Sequence, residues 1–170
     1  IIDEYINCET LGMSQEDPSL VVTPLDSSKY IGGAGIVAAH AAGLGASSSI
    51  FTVSGDDENK NFAEKTLSRQ GVHSNIIVDH NRITTLKKRF RNKNKTLLKV
   101  SYLKQNSISD KFTNILISKI EKELESSQLL IFSDFNYGVL PQKVVDHITK
   151  KAKSKKIKIV ADSQSSSQFG

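Results

Sequence analysis

Apolar positions along the chain change period repeatedly, and the periods sort it into alternating strands and helices. Leu20-Val21-Val22-Thr23-Pro24-Leu25 is short, β-branched and interrupted by a proline, which suits an edge strand. Residues 9–19 before it are polar and read as a loop. From Gly33 to Gly45 the residues are small and apolar, predicting a helix that packs closely on a sheet and stops at Gly43 or Gly45. Residues 48–54 are a buried strand. Asp56 or Asp57 caps the next helix, whose stripe is Phe62, Ala63 and Leu67 and whose end is Gly71. Residues 75–79 form another strand. Residues 83–91 and 95–103 alternate in the β sense on either side of Asn92-Lys93-Asn94, which predicts a hairpin. Phe112, Ile115, Leu116, Ile120 and Leu124 sit at helical spacing within 109–126. A compact β-α-β unit follows: strand 128–133, helix 141–152 with Pro141 at its first position, and strand 157–161.

This alternation predicts an α/β fold: a mostly parallel sheet covered by helices on both faces, with the hairpin as an appendage. With 170 residues, 38% hydrophobic and 24% charged, one domain with one core is expected. Ile1-Ile2-Asp3 reads as the end of a strand and the last residues follow closely on another, so the chain is expected to be a piece of a longer protein. The serine-rich stretch at 163–167 is too short for a linker.

Composition narrows the function classes. Cys8 is the only cysteine, which precludes an internal disulfide, and no Cys/His array has zinc-ligand spacing; a reducing, cytoplasmic setting is expected. No apolar run reaches the ~20 residues of a membrane span, and no signal peptide is evident. The net charge of +5 is concentrated in Lys87 to Lys99 and Lys150 to Lys158. Neither stretch interleaves aromatics for base stacking, which argues against nucleic acid as a partner.

Ligands of open α/β sheets bind beyond the carboxyl ends of the strands, where Asp3, residues 54–57, Asp134 and Asp162 fall. Carboxylates gathered there accept hydrogen bonds from hydroxyl groups and suit a polyhydroxylated ligand. The alternative makes Asp56 or Asp57 a helix cap and Asp162 a loop residue. Gly32-Gly33-Ala34-Gly35 opens the small-residue helix, either to admit a ligand to its free N–H groups or to make a tight turn. Gly33-x-Gly35-x-x-Ala38 also matches a dinucleotide fingerprint, but the hydrophobic strand expected before it is missing, which leaves an NAD-binding Rossmann domain as an alternative. In the hairpin, Thr85, Lys87, Arg89 and Arg91 share one face, and Lys87 and Arg89 could hold a phosphate already on the substrate; otherwise the face is simply solvated. The Lys150 to Lys158 run sits at a helix end, where cations are favoured.

Ile2-Asp3-Glu4-Tyr5, Gly32-Gly33-Ala34 through Leu44-Gly45-Ala46, Ser54-Gly55-Asp56-Asp57, Thr84-x-x-Lys87-x-Arg89 and Ser133-Asp134-Phe135-Asn136-Tyr137-Gly138 together resemble the ribokinase-like (PfkB) carbohydrate kinases, most closely their heptose-phosphate branch. The resemblance runs along nearly the whole chain and covers about the first half of a typical member. It implies a Rossmann-like αβα sandwich with a small β-sheet lid, built here from about 5–31 and 83–103, that covers a sugar site and pairs two subunits as a homodimer. It further implies that Asp3, Gly32 and Gly33 hold sugar hydroxyls, that Asp134 faces the same pocket, and that Lys87 and Arg89 contact a sugar phosphate. The parent kinase would use ATP and Mg2+. Two positions depart from the pattern: Gly35-Ile36 replaces the usual asparagine, and Asn136 stands where the heptose-phosphate branch tends to carry lysine.

The family's Gly-Ala-Gly-Asp turn, which stabilises phosphate charge and takes the hydroxyl proton, has no counterpart, since Gly33-Ala34-Gly35 runs into Ile36. The expectation is a catalytically silent fragment without its ATP-binding portion, containing no catalytic, cofactor-binding or metal-binding residue. A non-catalytic sugar-phosphate-binding module is the other reading. An exposed sheet edge would make the isolated piece self-associate or only marginally stable.

Overall fold

The computed structural model describes residues 1–163; of the serine-rich end only Ser163 falls among them. The chain runs β1 (Ile2–Met13), β2 (Leu20–Ile31), α1 (Ala34–Gly43), β3 (Ser48–Ser54), α2 (Glu58–Arg69), β4 (Val72–Val78), β5 (Leu86–Asn92), β6 (Lys95–Tyr102), α3 (Asp110–Glu123), β7 (Leu129–Asp134), α4 (Gln142–Ser154) and β8 (Lys158–Ser163).

Where one mostly parallel sheet was expected, hydrogen bonding among the described residues makes three. A four-stranded mixed sheet has the order β2-β1-β5-β6, while β3-β4 and β7-β8 are separate parallel pairs. The pairs belong to one layer, because the same helices cover both. Val53 of β3, Ile77 of β4 and Phe132 of β7 share a buried cluster with Leu116 and Ile120 of α3 and Val144 and Ile148 of α4. On the opposite face, Ile50 and Val72 pack with Ala39 of α1 and Leu67 of α2. Strand alternation sends odd and even residues of β3 to different helix layers, which is the αβα sandwich. The α1–α2 layer packs on β3-β4, with α1 also reaching β7. The matching face of β7-β8 is bare, with Leu129 49%, Ile131 38% and Val160 52% exposed.

The four-stranded sheet is the lid. Its roots, Ile2, Ile31 and Leu86, are buried in the α1–α2 cluster, and its strands then leave the body. The expected loop at residues 9–19 is half strand: β1 continues to Met13, with Thr10 opposite Val22 and Met13 opposite Leu20. A ribbon exposed on both faces needs no apolar alternation, so its polar composition disguised it. β2 is an edge strand, as its proline demanded, and Pro24 sits beside a register shift opposite Cys8. The hairpin forms with Lys93 in the left-handed region (φ 51°). β4 starts at Val72, three residues before the expected start, and Pro141 occupies the position just before α4.

Candidate functional site

The lid meets the body beside the carboxyl ends of β3 and β7. Asp3, two residues into β1, stands between Tyr30 of β2 and Lys87 of β5. Its Oδ1 accepts a charge-assisted hydrogen bond from Nη1 of Arg89. Its Oδ2 faces Gly32, where any Cβ would collide with the carboxylate. A glycine is therefore required there by close approach, and the approach leaves the carboxylate beside the unobstructed start of α1.

Gly33 requires glycine on two grounds: its φ is 56°, and a Cβ would lie 2.7 Å from Ile1 Cδ1 and 3.2 Å from Phe135 Cε2. Gly35 has a packing role, since a side chain would strike Ile31 of β2. β2 itself is an antiparallel lid strand. The glycines are thus not preceded by the parallel strand that a dinucleotide fold places there.

Register puts Lys87, Arg89 and Arg91 on the same lid face as Asp3, Tyr5 and Asn7, while Lys88 on the reverse face pairs with Glu4 at 3.5 Å. The three cations differ in environment. Arg89 is neutralised by Asp3 rather than standing free for a phosphate. Lys87 Nζ lies 5.2 Å from the Tyr137 ring and 5.9 Å from the Phe135 ring, so the lid touches the loop after β7. Arg91 has no carboxylate partner among the described residues, and its Nε has no hydrogen bond. Its guanidinium and that of Arg89 lie 5.6 and 5.2 Å from the Tyr5 ring, which meets Tyr30 edge to face at 5.8 Å. Tyr5, Asn7, Ser28, Tyr30 and Arg91 line a small open pocket of about 370 Å3. Tyr5, Phe135 and Tyr137 lie within the family-like motifs, yet nothing in their spacing marks them as partners of the cations.

Asp134 ends β7, and its Oδ1 accepts the N–H of Asn136 at 2.8 Å, closing a turn in which Asn136 has φ 57°. That turn aims Phe135 at Gly33 and Tyr137 at Lys87. Asp162 lies exposed on β8 opposite Ser133, away from the lid. Asp57 caps α2 through Lys60 N (3.0 Å) and also accepts the Thr84 N–H (2.8 Å), the residue before the turn into β5. Burial alone would raise its pKa, but the Thr84 and Lys60 N–H groups outweigh it and hold the carboxyl below its ordinary value. Asp56 points outward towards exposed His80 at 3.6 Å.

Arg82 gave no signal in the sequence. Buried, it donates to the carbonyls of Lys104 (3.0 Å), Tyr137 (3.1 Å) and Asn106 (2.6 Å), and it faces Asp79 at 3.9 Å. It ties the end of β4, the exit from β6 and the loop after β7 into one support. All six expected site residues thus gather at one edge: Asp3, Gly32, Arg89 and Lys87 directly, Gly33 and Asp134 through Phe135.

The sequence matches the pfkB family carbohydrate kinase pattern over residues 2–169, and the chain belongs to that family. It is 28% identical over 166 residues to bifunctional protein HldE of Campylobacter jejuni subsp. doylei, covering 98% of this chain and 34% of that protein. It is 30% identical over 165 residues to HldE of Aliarcobacter butzleri, covering 95% and 34%. The fold is similar to a carbohydrate kinase from Agrobacterium tumefaciens (TM-score 0.68, 15% identity, 94% of this chain and 50% of that one). It is likewise similar to Escherichia coli phosphofructokinase-2 in complex with fructose-6-phosphate (TM-score 0.65, 17% identity, 96% and 52%). The chain therefore spans about a third of the length of these curated relatives.

Proposed function

We propose that this chain is the sugar-binding part of a carbohydrate kinase whose acceptor is a sugar phosphate of the heptose-phosphate kind. The observation that carries the reading is the Asp3 carboxylate held open against Gly32 at the root of a lid face lined with cations. The carboxylate accepts sugar hydroxyls, and Gly32 and Gly33 leave the start of α1 clear for the ring. The Arg89 pair fixes the carboxylate's orientation. Lys87 and Arg91 are then the cations available to a phosphate at the far end of the sugar, with Asn7 and Ser28 beside Arg91. Phosphofructokinase-2 in complex with fructose-6-phosphate, a protein of the same fold, supports a phosphorylated sugar.

The whole protein would transfer phosphate from ATP with Mg2+ in the cytoplasm. The residues of this chain supply the sugar side of the reading: their only Gly-Ala-Gly run, Gly33-Ala34-Gly35, is followed by Ile36 rather than by aspartate. No step of the transfer is assigned to this chain, which is read as inactive alone. Leu11, Met13, Leu20, Val21 and Leu25, exposed on the outer lid, support pairing of two subunits there.

The test is calorimetric titration of the chain with six- and seven-carbon sugars and their terminal phosphates. Binding of the phosphates, abolished by Asp3→Ala and weakened about tenfold by Arg91→Met or Lys87→Met, supports the reading. Equal affinity for phosphorylated and plain sugars, unaltered in Arg91→Met and Lys87→Met, refutes the phosphate assignment. No binding of either refutes the sugar site.

A further inference from the structure

Two passages of chain carry the lid hairpin β5-β6, and both converge on one buried side chain. Residues 79–85 lead from β4 into β5, and residues 103–109 lead from β6 into α3. Arg82 stands in the first passage and donates to two carbonyls of the second, Lys104 O at 3.0 Å and Asn106 O at 2.6 Å. Lys104 answers across the same gap, its Nζ donating to Asn81 O at 2.7 Å. The two passages are thereby held at a fixed separation where the hairpin leaves the body.

Arg82 has a third acceptor, the carbonyl of Tyr137 at 3.1 Å, in the loop after β7. That loop is pinned on its other side too, because Ile108 N–H donates to Gly138 O at 2.8 Å and Gly138 lies too close to Asn106 O to admit a Cβ. The backbone of Tyr137 is therefore tied to both passages, and its ring lies 5.2 Å from Lys87 Nζ. Between Arg82 and Lys87 the chain has little freedom of its own: Thr84 N–H is held by Asp57 Oδ2 at 2.8 Å, and Thr85 O accepts Ile2 N–H at 2.8 Å. A shift at Arg82 thus reaches Lys87 from two sides, along β5 and through the Tyr137 ring. A guanidinium suits this place, since its planar fork of donors reaches three carbonyls in directions that one ammonium cannot span.

We propose that Arg82 is a positioning residue for the phosphate end of the acceptor: by binding the Tyr137 carbonyl to both lid passages it sets where Lys87 stands against the aromatic loop, and so where the Lys87 ammonium meets a phosphate. The inference rests on the sugar-phosphate reading, in which Lys87 is one of the cations offered to that phosphate. Arg82 acts through Tyr137 and Lys87 and touches no ligand itself. Its influence falls on the phosphate and spares the sugar hydroxyls, because Asp3 is held by Arg89 and set against Gly32, neither of which is a partner of Arg82. Arg82 is therefore a determinant of preference between a phosphorylated and a plain sugar.

The experiment titrates Arg82→Lys, Tyr137→Leu, Lys87→Met and the double variant Arg82→Lys with Lys87→Met against six- and seven-carbon sugars and their terminal phosphates by calorimetry. Ile148→Val, a core substitution in α4, controls for lost stability alone. The expected result is a loss of about fivefold in affinity for the phosphates in Arg82→Lys and in Tyr137→Leu, with the plain sugars changed by less than about twofold. Arg82→Lys should add nothing once Lys87 is already Met, since residues acting through one contact are not additive. Without ligand, the Lys87 ε-methylene proton signal, shifted upfield by the two rings in wild type, should move downfield in Arg82→Lys. An unmoved Lys87 signal, full additivity with Lys87→Met, or an equal loss of phosphate preference in Ile148→Val overturns the proposal and leaves Arg82 a purely structural residue. Should Arg82→Lys fail to fold, Tyr137→Leu carries the test, and phosphate preference retained there overturns the proposal. A wild type that binds phosphorylated and plain sugars equally overturns the sugar-phosphate reading and this inference with it, whereas a wild-type preference that survives both substitutions overturns the inference alone.

Discussion

Replacing Asp57 separates two roles that one carboxylate combines. Its Oδ1 caps α2 at Lys60 N, and its Oδ2 accepts the Thr84 N–H at the entry to β5. Loss of a cap costs about 1 kcal/mol, and loss of a hydrogen bond to a charged acceptor about 1.5–3 kcal/mol. Asp57→Ala, which loses both, should therefore lose about 2.5–4 kcal/mol. Asp57→Asn keeps a carbonyl oxygen for the cap but turns an amide N–H2 towards the Thr84 N–H, so it should lose about 1.5–3 kcal/mol. Urea denaturation at pH 7 reads both. The pH dependence supplies a second check: because the folded carboxyl titrates below its ordinary value of 3.8, its contribution is present in full above that value and disappears as pH falls through the lowered folded value. The gap between wild type and Asp57→Asn should stay constant from pH 7 to about 5 and close in stronger acid. An Asn variant as stable as wild type at pH 7, or a gap that widens in acid, would refute the reasoning.

Arg82→Met strips the support from three carbonyls and leaves Asp79 buried without its cation, so urea denaturation should show a loss of about 3–5 kcal/mol. Gly138→Ala forces a left-handed residue (φ 72°) against the Asn106 carbonyl and should cost at least about 2 kcal/mol, read as a lower urea midpoint. Gly32→Ala places a methyl on the Asp3 carboxylate; calorimetry should show sugar-phosphate affinity falling at least about tenfold with the far-UV spectrum unchanged.

Much of the site edge was legible in the sequence because it depends on local demands. Glycines at 32 and 33 stand where no side chain fits, and an aspartate three residues before Lys60 marks a cap whichever fold surrounds it. Asp57 was readable as a cap but not as the anchor of Thr84, 27 residues away. Arg82 was silent for the same reason, since its acceptors are carbonyls that no side-chain pattern reports. The ends of β1 were missed because a two-stranded ribbon in solvent carries no period. The division into three sheets was hidden because β3 and β7 each read as an ordinary buried strand, whether or not a neighbour lies beside it.

The lid's roots and its tips answer to different constraints. β1 and β2 meet again at the body, where Ile2 faces Ile31, and their outer ends are joined by the turn from Ser14 to Ser19; the second hairpin closes at Lys93 and Asn94. Residues can be gained or lost at either tip without moving Asp3, Lys87 or Gly32, because a ribbon lengthens by adding rungs beyond the last pair. Its reach beyond the body can therefore change while the carboxylate at its base stays in place.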